Sequence, residues 1–126
     1  MNLNQVTLPV TDMASATRFY QQLGFTLIVD TPHYARFECP VGDTTFSLSL
    51  AEHVVDSGAV VYFEHPQLDA WVKELKASGL EFEQDPTDQS WLWREAIIRD
   101  PSGNKLKLYR AGDNRRYPPW RVGQGG

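Results

Sequence analysis

Residues 19–30 read FYQQLGFTLIVD and residues 74–85 read ELKASGLEFEQD. Laid over each other at an offset of 55, the two stretches agree in order: Gly24 falls on Gly79, Phe25 on Leu80 and Asp30 on Asp85. A glycine directly behind a helical run supplies the left-handed conformation that stops a helix, so each stretch reads as a helix end followed by a strand. Upstream of the first, Val6, Leu8 and Val10 alternate as in a half-buried strand. Asp12 follows as an N-cap, and Ala16, Phe19, Tyr20 and Leu23 recur at helical spacing. Upstream of the second, residues 60–64 read as a strand, and Leu68, Trp71, Val72 and Leu75 form one helical face.

Downstream the agreement continues. The first half restarts as a strand at 25–29, breaks at Thr31-Pro32, and adds strands at 34–39 and 45–50 around a turn at 40–43. The second half restarts at 80–84 and breaks at Asp85-Pro86. It then adds strands at 93–99 and 105–109 around Asp100-Pro101-Ser102-Gly103. The offset grows to 60 at the end, where Phe46 and Leu48 match Leu106 and Leu108. An insertion of five residues in the tryptophan-containing loop accounts for the change. The expected fold is therefore α+β, two tandem β-α-β-β-β modules at 3–53 and 58–110 within one domain spanning 1–126. Residues 111–126 fit neither repeat. Their Tyr117-Pro118-Pro119-Trp120 cluster favours an extended arm, packed on the body or on a partner subunit.

Composition narrows the function. With 12 Lys and Arg against 16 Asp and Glu, the net charge of −4 comes with no basic stripe, which argues against nucleic acid. The longest apolar runs, such as 59–63, fall far short of the roughly 20 residues a membrane helix needs, and no signal peptide is recognisable. The expectation is a cytoplasmic protein acting on small molecules. A single cysteine, Cys39, excludes an internal disulfide and a multi-cysteine zinc site. His33, His53 and His65 lack paired metal spacing, and no Ser-His-Asp signal or glycine-rich phosphate loop is present.

The tandem modules, the helix entry at Thr11-Asp12-Met13, the Phe19-Tyr20…Leu23-Gly24-Phe25 stretch and Asp100-Pro101-Ser102-Gly103-Asn104 together resemble the vicinal oxygen chelate superfamily. That group includes glyoxalase I, bleomycin-resistance proteins, fosfomycin-resistance enzymes and extradiol dioxygenases. The resemblance covers about residues 3–110. It implies sheets curled into an open, barrel-like cleft, and a homodimer. It also implies a divalent metal held near the start of each module's first strand and on each module's last strand. Carried onto this chain, those positions are Gln5, Val60, Ser47 and Lys107. Val60 has no lone pair, a neutral serine is a poor ligand, and an ammonium has the wrong sign beside a cation. No metal and no other cofactor is expected.

Strand alternation sets Gln5, Thr7, Ser47 and Ser49 from the first module towards the implied cleft, together with Val60, Tyr62, Glu64, Lys107 and Tyr109 from the second. Trp91 and Trp93 lie in the loop and strand that the second module adds, with their facing open. Such a mixed polar and aromatic wall suits a ligand-filled cavity better than a dry core. Lys107, between Leu106 and Leu108, can pair with Glu64 or Glu95, bind an anion, or act as a base if its pKa falls. The reading favoured is a metal-free protein that binds or sequesters a small aromatic or drug-like compound. The alternative is a glyoxalase-like lyase, isomerase or dioxygenase. It would use metal through other ligands, or work without metal through Lys107, Glu64 and Tyr62.

Overall fold

A computed structural model describes residues 1–123. Its elements are β1 (Gln5–Val10), α1 (Met13–Leu23), β2 (Thr26–Asp30), β3 (Tyr34–Glu38), β4 (Thr45–Leu50), β5 (Val61–Glu64), α2 (Leu68–Ala77), β6 (Gln84–Asp88), β7 (Arg94–Arg99) and β8 (Lys105–Arg110), then a short 3-10 turn at Gly112–Arg115. The strands form two four-stranded sheets, ordered β1-β4-β3-β2 and β5-β8-β7-β6. Neither order closes on itself into a barrel. The doubled β-α-β-β-β plan is as the repeat implied. The chain groups into two compact units: residues 1–59 with 99–104, and residues 60–98 with 105 onward.

In the first unit, β4 lies centrally, parallel to β1 and antiparallel to β3. Phe46 and Leu48 are buried on one side of it, and α1 covers them with Ala16, Phe19, Tyr20 and Leu23. The Asp12 carboxylate caps α1 by accepting the N–H of Ala14 at 3.1 Å, and Gly24 ends it at φ 112°. Tyr20 is fully buried, its ring 4.6 Å from that of Phe46. Its hydroxyl donates to Asp100 at 2.7 Å. The same carboxylate accepts the backbone N–H of Ser102 and Asn104, each at 2.9 Å, and the Asn104 side-chain amide. That amide also donates to the Pro9 carbonyl at 2.8 Å. The Asp-Pro-Ser-Gly-Asn turn thus latches the helix and strand of this unit by hydrogen bonds. Burial and the Asp100 charge push the Tyr20 phenol far above its ordinary range, so it remains a donor.

In the second unit β8 takes the central place, parallel to β5, with Leu106 and Leu108 buried. Leu68, Val72 and Leu75 are the buried residues of α2. One element departs from the sequence expectation. The strand read at 80–84 starts its ladder only at Gln84, and it runs through the Asp85-Pro86 pair that reads as a break. Proline is tolerated there because β6 is an edge strand and the ladder is irregular between Gln84 and Thr87. By register, Leu27 faces Phe37 as Gln84 faces Ile97, so the insertion is divided: the smaller part lies before β6 and the larger part in the tryptophan-containing loop between β6 and β7.

Candidate functional site

On β8, Leu106 and Leu108 alternate with Lys107 and Tyr109, which share the opposite side of the strand. Lys107 Nζ lies 3.0 Å from Glu95 Oε1, and the Glu95 side chain is only 3% exposed. The indole N–H of Trp91 donates to the other Glu95 oxygen at 2.8 Å. Burial pulls the Lys107 pKa down, but the hydrogen bond and charge of Glu95 outweigh it, so the net shift is upward and the ammonium is kept. Of the roles open to Lys107, ion pairing with Glu95 is the one the geometry shows. A base or Schiff-base amine needs the opposite shift.

Three rings form a group that meets this pair through Tyr62. Tyr62, across the ladder from Lys107, has its ring centroid 5.5 Å from the ammonium. Trp93 stacks on Tyr109 at 4.7 Å, and Tyr62 meets both edge-on at 5.9 and 5.6 Å. Burial, and next the charge of Glu64, raises the Tyr109 phenol. The facing of Trp91 and Trp93, open in the sequence, follows from the residue between them. Leu92 sits at φ 66°, a left-handed conformation costing roughly 1 kcal/mol for a residue with a Cβ. The turn it makes, with its N–H on the Gln89 carbonyl, interrupts the strand alternation. Trp91 thereby reaches Glu95 and Trp93 reaches Tyr109.

Glu64 has other work. Its carboxylate accepts the backbone N–H groups of Ala111 at 2.8 Å and Gly112 at 3.0 Å, with Arg115 at 3.6 Å. It thereby caps the 3-10 turn that begins the arm. Tyr117 and Trp120 farther along the arm are about half exposed, Arg121 lies over the Tyr117 ring, and the last three residues of the arm, 124–126, fall outside the described ones. Val60 precedes β5 and is half-buried.

The first unit has its own polar set. Ser47, fully buried between Phe46 and Leu48, receives the Gln5 amide at 2.9 Å and lies 2.7 Å from the Tyr34 hydroxyl. Arg36 Nε donates to the same phenol oxygen at 2.9 Å, and the Thr45 hydroxyl donates to the Gln5 carbonyl oxygen. Thr7 and Ser49 are exposed; Ser49 faces Tyr34 across the ladder. Tyr34 and Arg36 were not singled out from the sequence. The signal was available, since they alternate on β3 with buried Ala35 and Phe37. The hydrogen bond with Ser47, opposed by partial burial and assisted by Arg36 and Gln5, holds the Tyr34 phenol below its ordinary pKa. A spectrophotometric titration of tyrosine ionisation is accordingly expected to show one phenol ionising ahead of the others. That phase should disappear in Tyr34→Phe and move upward in Arg36→Met. An unchanged early phase in Tyr34→Phe would reassign it.

The metal positions implied by the resemblance can be judged on donor chemistry. In the first unit the Gln5 carbonyl and the Ser47 hydroxyl are spent on internal hydrogen bonds. In the second, Val60 offers no donor and Lys107 brings a cation held by Glu95. Among the described residues no three His, Cys, Asp or Glu side chains are grouped for an ion. His65 stacks on Trp71 and accepts the Gln67 N–H. These residues do not fit a divalent metal.

A family model for the glyoxalase/bleomycin resistance protein/dioxygenase superfamily matches residues 2–108. A protein of Mycolicibacterium smegmatis, described as uncharacterized, is 29% identical over 109 residues, covering 85% of this chain and 91% of its own. A glyoxalase/bleomycin resistance protein/dioxygenase of Nocardioides superposes with a TM-score of 0.75 at 23% identity, over 98% of this chain and 90% of that one. Lactoylglutathione lyase of Agrobacterium tumefaciens gives 0.73 at 17% identity, over 86% and 92%. At these identities the structural likeness concerns the fold. No helix is long and apolar enough to cross a membrane among the described residues.

Proposed function

We propose that this chain, which belongs to the glyoxalase/bleomycin resistance protein/dioxygenase superfamily, binds a small aromatic or drug-like molecule without a metal ion and holds it rather than transforming it. The observation that carries this reading is the aromatic group of Tyr62, Trp93 and Tyr109, which meets a charge-neutral Lys107–Glu95 pair through Tyr62. Tyr62 keeps 43% of its surface exposed and is the ring on which a flat ligand stacks. With its charge balanced by Glu95, Lys107 offers a phenol or other oxygen a hydrogen bond more than a net charge. The enzymatic alternative through Lys107 and Glu64 has less support, because the lysine is kept protonated and Glu64 is bound to the arm.

The test uses 2-naphthol as a flat phenolic probe and follows tryptophan emission. Binding should quench it, and Tyr62→Ala should weaken binding about fivefold, the equivalent of roughly 1 kcal/mol for one ring pair. Equal affinity in wild type and Tyr62→Ala would remove this wall from the site. The same reading makes the protein a cytoplasmic homodimer whose arm, with Tyr117 and Trp120 half exposed, lies at the partner surface. Light scattering should return twice the 14.3 kDa chain mass. Trp120→Ser should shift that mass downward; a monomeric wild type would overturn the assembly.

A further inference from the structure

We infer that the second unit carries a further pocket, sharing Trp93 with the aromatic group, for a small organic carboxylate anchored by Arg110. The cavity measures about 500 Å³ and lies between residues 88–94 and residues 110–114. That volume is of the size that small-molecule sites occupy. Both walls are pinned. On one side the Gln89 N–H donates to the Trp93 carbonyl at 2.8 Å, and the Leu92 N–H donates to Gln89. On the other, Glu64 holds the backbone of Ala111 and Gly112, and the Trp93 indole N–H donates to the Asn114 carbonyl at 3.2 Å.

Two guanidinium groups line the cavity, and they differ in what they have left to give. Arg94 is spent: it donates twice to Asp69, at 2.9 and 3.1 Å, and once to Asp88 at 3.0 Å. Asp88, a carboxylate on the lining, is hydrogen-bonded to Arg94 and points largely to solvent. Arg110 is exposed and makes no hydrogen bond or ion pair among the described residues. Asp69 feels its charge, but both oxygens of Asp69 already hold Arg94. The donor fork of Arg110 is thus free for a planar acid, which it can meet with two parallel bonds. The side-chain amide of Asn114 is likewise unbonded among the described residues and adds a polar contact. Leu92 and Trp93 supply the apolar part of the lining, and Leu92 keeps its bulky side chain there in a conformation that favours glycine. Strand alternation sets Arg110 on the other side of β8 from Lys107 and Tyr109. The acid therefore meets a different cation from the one in the aromatic group.

Calorimetric titration of the intact chain with naphthalene-2-carboxylate, and in parallel with the isosteric naphthalene-2-carboxamide, tests this. The carboxylate should bind at least tenfold more tightly, and its addition should shift the backbone amide resonances of residues 88–94 and 110–114. Arg110→Gln, which removes no hydrogen bond or ion pair among the described residues, should abolish the preference while leaving the carboxamide affinity as it was. Arg110→Lys should restore part of it. The inference is overturned by a preference that survives Arg110→Gln. Resonance shifts confined to the surroundings of Tyr62 and Lys107, or no binding of either compound at millimolar concentration, overturn it equally.

Discussion

Asp100→Ala should lower the free energy of unfolding by about 3 kcal/mol, a large share of the roughly 5–15 kcal/mol that holds a domain folded. The Asp100 carboxylate, 4% exposed, accepts four hydrogen bonds: from the Tyr20 hydroxyl, two backbone N–H groups and the Asn104 amide. Removing it strands the hydroxyl of a fully buried tyrosine, and an unsatisfied buried donor costs more than a hydrogen bond contributes. Tyr20→Phe should cost less, about 1–2 kcal/mol, because the carboxylate keeps its three other donors. The double variant should fall short of the sum of the two single changes by at least 0.5 kcal/mol, roughly the coupling expected of residues in contact. Urea unfolding of the four proteins measures all of this. Additive losses would mean that the latch is two separate structures rather than one.

Lys107→Met should also cost about 3 kcal/mol, for a different reason. Among the described residues it leaves the Glu95 carboxylate, 3% exposed, with only the Trp91 indole N–H as partner, and an uncompensated buried charge is strongly destabilising. Adding Glu95→Gln to that variant should return most of the loss, since an amide tolerates the site without a counter-ion. The pH dependence follows from the upward shift of Lys107. A lysine whose folded pKa exceeds its unfolded value contributes its full stabilisation below the unfolded value, about 10.4, and loses it as pH rises through the folded one. Wild type should therefore lose stability in this alkaline window, and Lys107→Met/Glu95→Gln should lack that component. A single Lys107→Met variant as stable as wild type would show that the pair is solvated and that Glu95 is not held by it.

The doubled plan was legible because it rests on local signals that repeat: Gly24 and Gly79 behind helical runs, and the alternation of Phe46 with Leu48 and of Leu106 with Leu108. The start of β6 was not legible. Asp85-Pro86 is a sound break signal in a central strand and a weak one at an edge, and position within a sheet is a tertiary property. The side of the sheet for Lys107 and Tyr109 came from alternation, but its partner did not, because Glu64 and Glu95 satisfy the same pattern. Only the backbone shows that Glu64 is taken by the N–H groups of Ala111 and Gly112. The facing of Trp91 and Trp93 depends on a left-handed Leu92, which a glycine would have announced and a leucine conceals. Tyr34 and Arg36 were passed over although their alternation was plain, since no motif drew notice to β3. The Tyr20–Asp100 bond joins residues 80 apart, a distance at which a sequence alone pairs nothing.

The central claim, that this superfamily member works without the usual divalent ion, is tested most directly by thermal unfolding of the purified protein in chelator and in zinc, nickel, manganese or iron(II). A specific ion at a hundred times its dissociation constant would stabilise the fold by about 2.7 kcal/mol, a rise in midpoint of several degrees. The account predicts midpoints within about 1 °C of the chelated protein for all four ions, whereas a rise of several degrees with any one of them would contradict it.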